Sequence, residues 1–299
     1  MSKTKLRSAK FSINQLVKQD LSHSYASQAD MRHMLFRCIK DLHELGYKVG
    51  HVKGLQPKHI FALVEHWKSQ NKSPATIKNY MSKLRTTARL LDNANLIKPD
   101  NAAYHIDKRS YAPTQNKAIH QIDLTKCTDP YIRLSLEGQA LFGLRREESM
   151  KFTVRDAIDG NTIIIKPSWT KGGIGRTVDI TNDAQRQWLD KVARLVPPGH
   201  SLIPLERSYK QHLSHYEAQA KTMGVCKLHG LRHAYAQRRY KELTRLLDPN
   251  GQGFNCPIDG GNPYKLLSIT EKIIDRQARQ ILSRQLGHSR VSITRIYCG

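Results

Sequence analysis

Apolar residues recur at helical spacing through most of this 299-residue chain and change to a two-residue period in one place only. Met31, Met34, Leu35, Cys38, Ile39, Leu42 and Leu45 fall along one helix face, and Gly46 stands where a C-terminal cap belongs. Leu55 to Trp67 repeats the pattern with Ile60, Leu63, Val64 and Trp67. Ser73-Pro74 then supplies the N-cap and first residue of a third helix through Ile77, Tyr80, Met81, Leu84, Ala88 and Leu91. Thr128-Asp129-Pro130 opens another, through Ile132, Leu134, Leu136, Ala140, Leu141 and Leu144. The period shifts across 154–158, 162–165 and 176–180, three β-rich runs separated by Asp159-Gly160-Asn161 and by a glycine-rich loop at 171–175. That pattern predicts a small antiparallel meander. Helices return at about 183–196, 208–223, 230–247 and 269–285, with a long Gly-, Pro- and Asn-rich loop at 248–263 between the last two. The expected fold class is mainly α: an N-terminal helical bundle and an α-rich second domain holding a small antiparallel β-meander.

A chain of this length divides most naturally into two domains, each able to bury a core without staples. The expected division is a loose basic arm at 1–25, the helical bundle at 26–98, a linker at 99–116 and the second domain at 117–299. The formal net charge of +24 is spread along the whole chain, as suits a long polyanion whose counterions are released on contact. A nucleic acid is the expected partner, with Lys78, Lys83, Arg85 and Arg89 on the third helix as candidate DNA contacts. No run of about eighteen apolar residues could span a bilayer, and the first residues lack the apolar core of a secretory signal, so a cytoplasmic location with no membrane partner is expected. The five cysteines are odd in number and scattered, which points to reduced thiols.

The run from Leu286 to Gly299 is the one the chemistry is organised around. It opens on Gly287-His288 and ends near Tyr297, a candidate nucleophile. Three other stretches supply what a phenol nucleophile needs. Arg145 precedes Glu148 by three positions, so one helical turn returns the carboxylate to the guanidinium and orients it for a phosphate. Lys171 sits in the glycine-rich hairpin loop, where Gly-Lys-Ser/Thr is absent and no strand-loop-helix follows, so a nucleoside triphosphate loop is not expected. His229-Gly230-Leu231-Arg232-His233 puts His229 and Arg232 on one helix face. No cluster of carboxylates is present to hold Mg²⁺, the cysteines and histidines do not complete a zinc site, and no metal or cofactor is expected. Two arginines, a lysine, two histidines and a tyrosine are the parts for moving a phosphodiester onto a phenol. The phenol, with an ordinary pKa of about 10, must shed its proton as attack proceeds, to His288 or His229.

The chain resembles the tyrosine recombinases, the family of phage and mobile-element integrases and chromosome-resolving enzymes. Gly143-Leu144-Arg145 with Glu148, Lys171 with Arg176, His229-Gly230-Leu231-Arg232-His233, and Leu286-Gly287-His288 with Tyr297 are similar to its four boxes, in the same order. The resemblance implies a core-binding bundle followed by a catalytic domain, acting as a homotetramer on two synapsed sites, with accessory DNA-bending factors as further partners. It implies that Arg145, Arg232 and His288 contact the scissile phosphate and Lys171 acts as general acid. His229 would assist proton transfer, Glu148 support the site from behind, and Tyr297 form a 3′-phosphotyrosine. The segment from Arg232 to His288 is longer than usual in the family, by the 248–263 loop. The function implied is integrase-type site-specific recombination; a non-catalytic DNA-binding protein and a type IB topoisomerase are the alternatives.

Overall fold

The computed structural model describes residues 3–111 and 113–299, and helix begins at the first of them. Helix α1 (Lys3–Lys18) buries Ala9, Ile13, Leu16 and Val17 at helical spacing while Lys5, Arg7 and Lys10 stay exposed. Over 3–18 the expected loose arm at 1–25 is therefore corrected, residues 1 and 2 lying outside the described residues: charges at Lys5, Arg7 and Lys10 occupy the outer face of a helix whose inner face is short but apolar. The Ser12 hydroxyl accepts from the Val52 backbone N–H at 2.9 Å, tying α1 to the turn that follows the next helix.

Helix α2 (Tyr25–Glu44) starts at the Ser24 cap and is followed by Gly46, whose φ of +89° is left-handed as the sequence predicts. Helices α3 (Pro57–Ser69) and α4 (Pro74–Leu90) complete a bundle around Leu35, Ile39, Leu42, Leu63, Trp67, Met81 and Leu84. Trp67 donates to the buried Asp41 carboxylate at 2.9 Å, which satisfies the indole that packing brings inside. Tyr104 and Ile106 join this core, and the chain divides into two compact units between Ser110 and Tyr111. The expected linker at 99–116 is thus folded at both ends, because Asn116 bonds Gln237 of the second unit at 2.8 Å.

In that second unit, Asp129 caps α5 (Pro130–Phe142) through the N–H groups of Tyr131 and Ile132. Two short helices follow, α6 (Arg146–Met150) and α7 (Val154–Ala157). The second replaces most of the β-rich run expected at 154–158; its four residues pack on both the sheet and the next long helix, and burial of Ala157 overrides the β-branched propensity. Strands β1 (Ile158–Asp159), β2 (Thr162–Ile165) and β3 (Arg176–Asp179) form the antiparallel meander in sequence order, with Ile163 opposite Ile158 and Val178. Helices α8 (Asp183–Leu195), α9 (Tyr209–Thr222), α10 (Gly230–Leu247), α11 (Ile269–Gln285) and α12 (Arg295–Cys298) complete the unit. Helix α10 is buried along most of its length and packs on α5, α11 and α12, so it is the axis on which the distant sequence boxes converge. The 248–263 loop is well tethered: the Asp248 carboxylate accepts from the N–H groups of Asn250, Gln252 and Gly253, and Cys256 is fully buried. Among the described residues no helix is long and apolar enough to cross a membrane.

Candidate active site

Helix α5 ends at Gly143, whose φ of +62° and neighbours allow no other residue: a Cβ there would lie 2.3 Å from the Tyr235 ring. This turn delivers Arg145 to the N-terminus of α6, where the Glu148 carboxylate accepts from the Arg145 backbone N–H at 2.7 Å and from its guanidinium at 2.6 Å. Glu148 has no solvent exposure. Arg176, from β3, donates to both of its oxygens at 2.9 and 2.6 Å, and the Arg232 guanidinium lies 4.0 Å away. Burial raises the Glu148 pKa, but the bonds and charge of Arg176, the charge of Arg232 and the Arg145 N–H prevail and hold it down at about 2. Three guanidiniums around one carboxylate leave a surplus of positive charge, which suits an incoming anion. With both carboxylate oxygens taken by arginines, Glu148 is not arranged as a metal ligand.

Arg232, on the first turn of α10, is 1% exposed. Its Nη1 donates to the Gly143 carbonyl, its Nη2 to the Leu286 carbonyl, and its Nε to the Tyr297 hydroxyl at 3.4 Å. Burial lowers its pKa to about 10, with Arg145 and Arg176 adding to the effect, yet it remains cationic at neutral pH. The two carbonyls belong to the turns before Arg145 and before His288, so one side chain locks together segments more than fifty residues apart. Gly287 is held by the same crowding, since its φ is +65° and a Cβ would meet Arg176 at 2.9 Å.

The Tyr297 ring is enclosed by imidazoles. Its hydroxyl lies 3.3 Å from Nε2 of His229, and its centroid is 4.6 Å from that of His233 and 5.6 Å from that of His288. Tyr297 is 4% exposed, and its carbonyl accepts from Gln237 at 3.1 Å, which fixes the short α12. Burial and the charge of Arg232, Arg145 and Arg176 push the His288 pKa down to about 3; burial, His229 and Lys117 bring that of His233 to about 4. Desolvation and Arg232 lower that of His229 as well, although part of the residue is open to solvent. All three are neutral at pH 7 and able to accept a proton or donate one N–H. Nε2 of His288 is buried with no hydrogen-bond partner among the described residues.

Arg145, Glu148, His229, Arg232, His288 and Tyr297 therefore share one site. Lys171 lies exposed in the turn before β3 and makes no hydrogen bond or ion pair with them among the described residues. Of the four α4 cations, Lys83 pairs with Asp30 at 2.6 Å and Arg85 bonds the Lys98 carbonyl and Asn101, while Arg89 is exposed and Lys78 partly so. Sequence reasoning missed Arg176 and His233 as members of the site. Arg176 carries the strongest grip on Glu148; its spacing from Lys171 is visible in the sequence, but the partner that gives it a role lies 28 positions away. His233 sits beside Arg232 in the box, and only folding shows that it stacks on Tyr297.

Residues 9–95 match the family described as phage integrase, N-terminal, and residues 107–238 match the family described as integrase, ending before His288 and Tyr297. No curated protein sequence matches significantly. Among solved structures, the Tn1549 transposon integrase in complex with circular intermediate DNA is 14% identical with a TM-score of 0.55, covering 98% of this chain and 95% of its own. A lambda integrase dimer bound to a COC′ core site is 14% identical with a TM-score of 0.59, covering 96% and 76%. The XerH site-specific recombinase bound to a palindromic difH substrate, in a post-cleavage complex, is 16% identical with a TM-score of 0.55, covering 97% and 81%.

Proposed function

This chain belongs to the phage integrase family of tyrosine recombinases, and we propose that it cuts and rejoins double-stranded DNA at specific sites with the strand held on Tyr297. The observation that carries this reading is the Tyr297 hydroxyl, 3.3 Å from His229 and 3.4 Å from the Arg232 guanidinium, in a pocket where three arginines face one carboxylate.

A scissile phosphate takes its place against Arg145 and Arg232, whose fixed N–H groups stabilise the charge that grows on the non-bridging oxygens in the five-coordinate transition state. The unpaired Nε2 of His288 supplies a further contact to one of those oxygens. Tyr297 Oη attacks phosphorus, forming the new P–O bond while its proton passes to Nε2 of neutral His229. The bond from phosphorus to the 5′ oxygen breaks, and Lys171 protonates that oxygen. Lys171 reaches it by a swing of its loop, in which Gly172 and Gly173 hold left-handed φ values of +96° and +69°. The product is a 3′-phosphotyrosine that keeps the energy of the broken ester, so a 5′ hydroxyl reverses the step without ATP. Glu148 and Arg176 act through Arg145 and Arg232, by holding them in place.

In this reading Lys78, Lys83, Arg85 and Arg89 meet the DNA backbone, and four copies act on two synapsed sites, with DNA-bending proteins as accessories. An integrase of a mobile element is the biological role this supports. The test uses duplexes selected from a random library for tight binding, each nicked so that a cleaved strand diffuses away. The native chain accumulates a covalent protein–DNA adduct, and Tyr297→Phe binds equally but forms none. Adducts persisting in that variant overturn the assignment.

A further inference from the structure

Of the five cysteines, Cys256 and Cys298 are brought side by side, and the cleavage chemistry uses neither. Cys298 follows Tyr297 on α12, and that helix packs on the 3-10 turn Pro257–Asp259, which Cys256 begins. The backbones are in near contact: a Cβ on Gly299 would lie 3.0 Å from the Ile258 nitrogen and 3.0 Å from the Pro257 Cβ. Both thiols are fully buried in one apolar cluster. Beside them runs Arg279, whose Nε donates to Asp275 at 2.7 Å while its Nη1 is buried without a hydrogen-bond partner among the described residues. The interaction of the two thiols lowers the Cys256 pKa and raises that of Cys298, and the Arg279 charge favours both thiolates. Once either sulfur is oxidised, the other is placed to resolve it.

We propose that Cys256 and Cys298 are a redox-switchable pair whose disulfide fastens the helix of the nucleophile to the 248–263 loop and halts DNA cleavage. The locking follows from the position of Tyr297. Its hydroxyl occupies the donor Nε of Arg232 and the Nε2 of His229, so freeing that donor for a phosphate oxygen takes an adjustment of Tyr297 on α12. Cys298 adjoins Tyr297 on α12, and a disulfide holds its two Cα atoms within roughly 4.4–6.8 Å, so tying Cys298 to Cys256 restrains the neighbouring residue. The oxidant is a hydroperoxide. One thiolate of the pair attacks its terminal oxygen; the O–O bond breaks, and the departing oxygen takes up the proton that thiol shed, leaving a sulfenic acid and an alcohol or water. The other sulfur then attacks the sulfenic sulfur; the S–S bond forms, the S–O bond breaks, and hydroxide leaves with the second thiol's proton as water. Two electrons pass from the sulfurs to the peroxide. Because both thiols are shielded, oxidation waits on local opening of α12 or the loop and is slower than at the exposed Cys226.

The consequence for cleavage rests on the recombinase reading; the cross-link itself does not. The test treats the full chain with hydrogen peroxide, digests it without reduction and weighs the peptides. A joined Cys256–Cys298 pair lighter by two hydrogens is expected, with adduct yield on the nicked duplex falling in proportion to the joined fraction and recovering in dithiothreitol. Cys256→Ser and Cys256→Ala both keep adduct formation and lose the peroxide sensitivity, their unfolding midpoints showing that each has folded. Oxidation that reaches Cys226 but never joins the pair overturns the proposal, as does a joined pair with undiminished adducts. If the reduced chain forms no adduct, the recombinase reading fails alone. Hydrogen exchange in α12 then decides the switch: slower exchange after oxidation supports it, and unchanged exchange refutes it.

Discussion

Replacing Glu148 with Gln tests whether one buried carboxylate holds the arginine cluster together. The side chain keeps its shape, but one oxygen becomes an NH₂ facing guanidinium donors, and the Arg145 and Arg176 bonds at 2.6–2.9 Å lose their counter-charge. The pKa of about 2 against an ordinary 4.5 corresponds to about 3 kcal/mol at 1.36 kcal/mol per unit. Breaking a buried ion pair by removing one partner costs about 3–5 kcal/mol, which agrees. The sign follows from a folded pKa below the unfolded one: the contribution is complete above about pH 4.5 and disappears as pH falls towards 2. Denaturant unfolding, followed by hydrogen exchange of α6 and β3 so that the second unit alone is read, should show Glu148→Gln less stable by about 3 kcal/mol at pH 7. The native chain should converge on the variant as pH drops. A loss below about 1 kcal/mol at pH 7, the scale of an exposed pair, refutes the claim that Glu148 is the electrostatic keystone of the site.

Other perturbations read separate parts of the site. Arg232→Ala should reduce single-turnover cleavage by about 10²–10³, the cost of one transition-state donor, while gel-shift binding changes little. Lys171→Ala should slow cleavage of ordinary DNA but not of a substrate whose bridging 5′ oxygen is replaced by sulfur, a leaving group that needs no acid; equal slowing of both assigns Lys171 to binding. Gly143→Ala should destabilise the second unit by about 1–3 kcal/mol in denaturant unfolding, because its Cβ collides with Tyr235 and its left-handed φ is strained. The His288, His233 and His229 pKa values lie below the ordinary 6.5, so the unfolded chain binds more protons and stability falls as pH drops below about 6.5. The cleavage rate should accordingly fall by less than about twofold between about pH 8 and pH 6.5, since most of His229 stays neutral as the base.

The helices were legible because their apolar stripes and caps are local: Ser73-Pro74 and Asp129-Pro130 begin α4 and α5 as the sequence predicts. Helix α1 was hidden because Lys5, Arg7 and Lys10 dominate its composition while only a narrow face packs inward. The turn at Val154–Ala157 was hidden because burial against the sheet, not propensity, decides its conformation. Within the site, Arg145 and Glu148 could be paired from a three-residue spacing. The roles of Gly143 and Leu286 as carbonyl partners of Arg232 are tertiary facts with no local signal. Lys171 shows the converse: its sequence context marks it, yet in the fold it is exposed and bonded to none of the cluster among the described residues.

The central claim is that Tyr297 carries the DNA strand. Protease digestion of the adduct trapped on a nicked duplex, followed by fragmentation mass spectrometry, should place the nucleotide phosphate on the phenolic oxygen of Tyr297. A phosphate found on another tyrosine, on a histidine or on a serine would contradict the account.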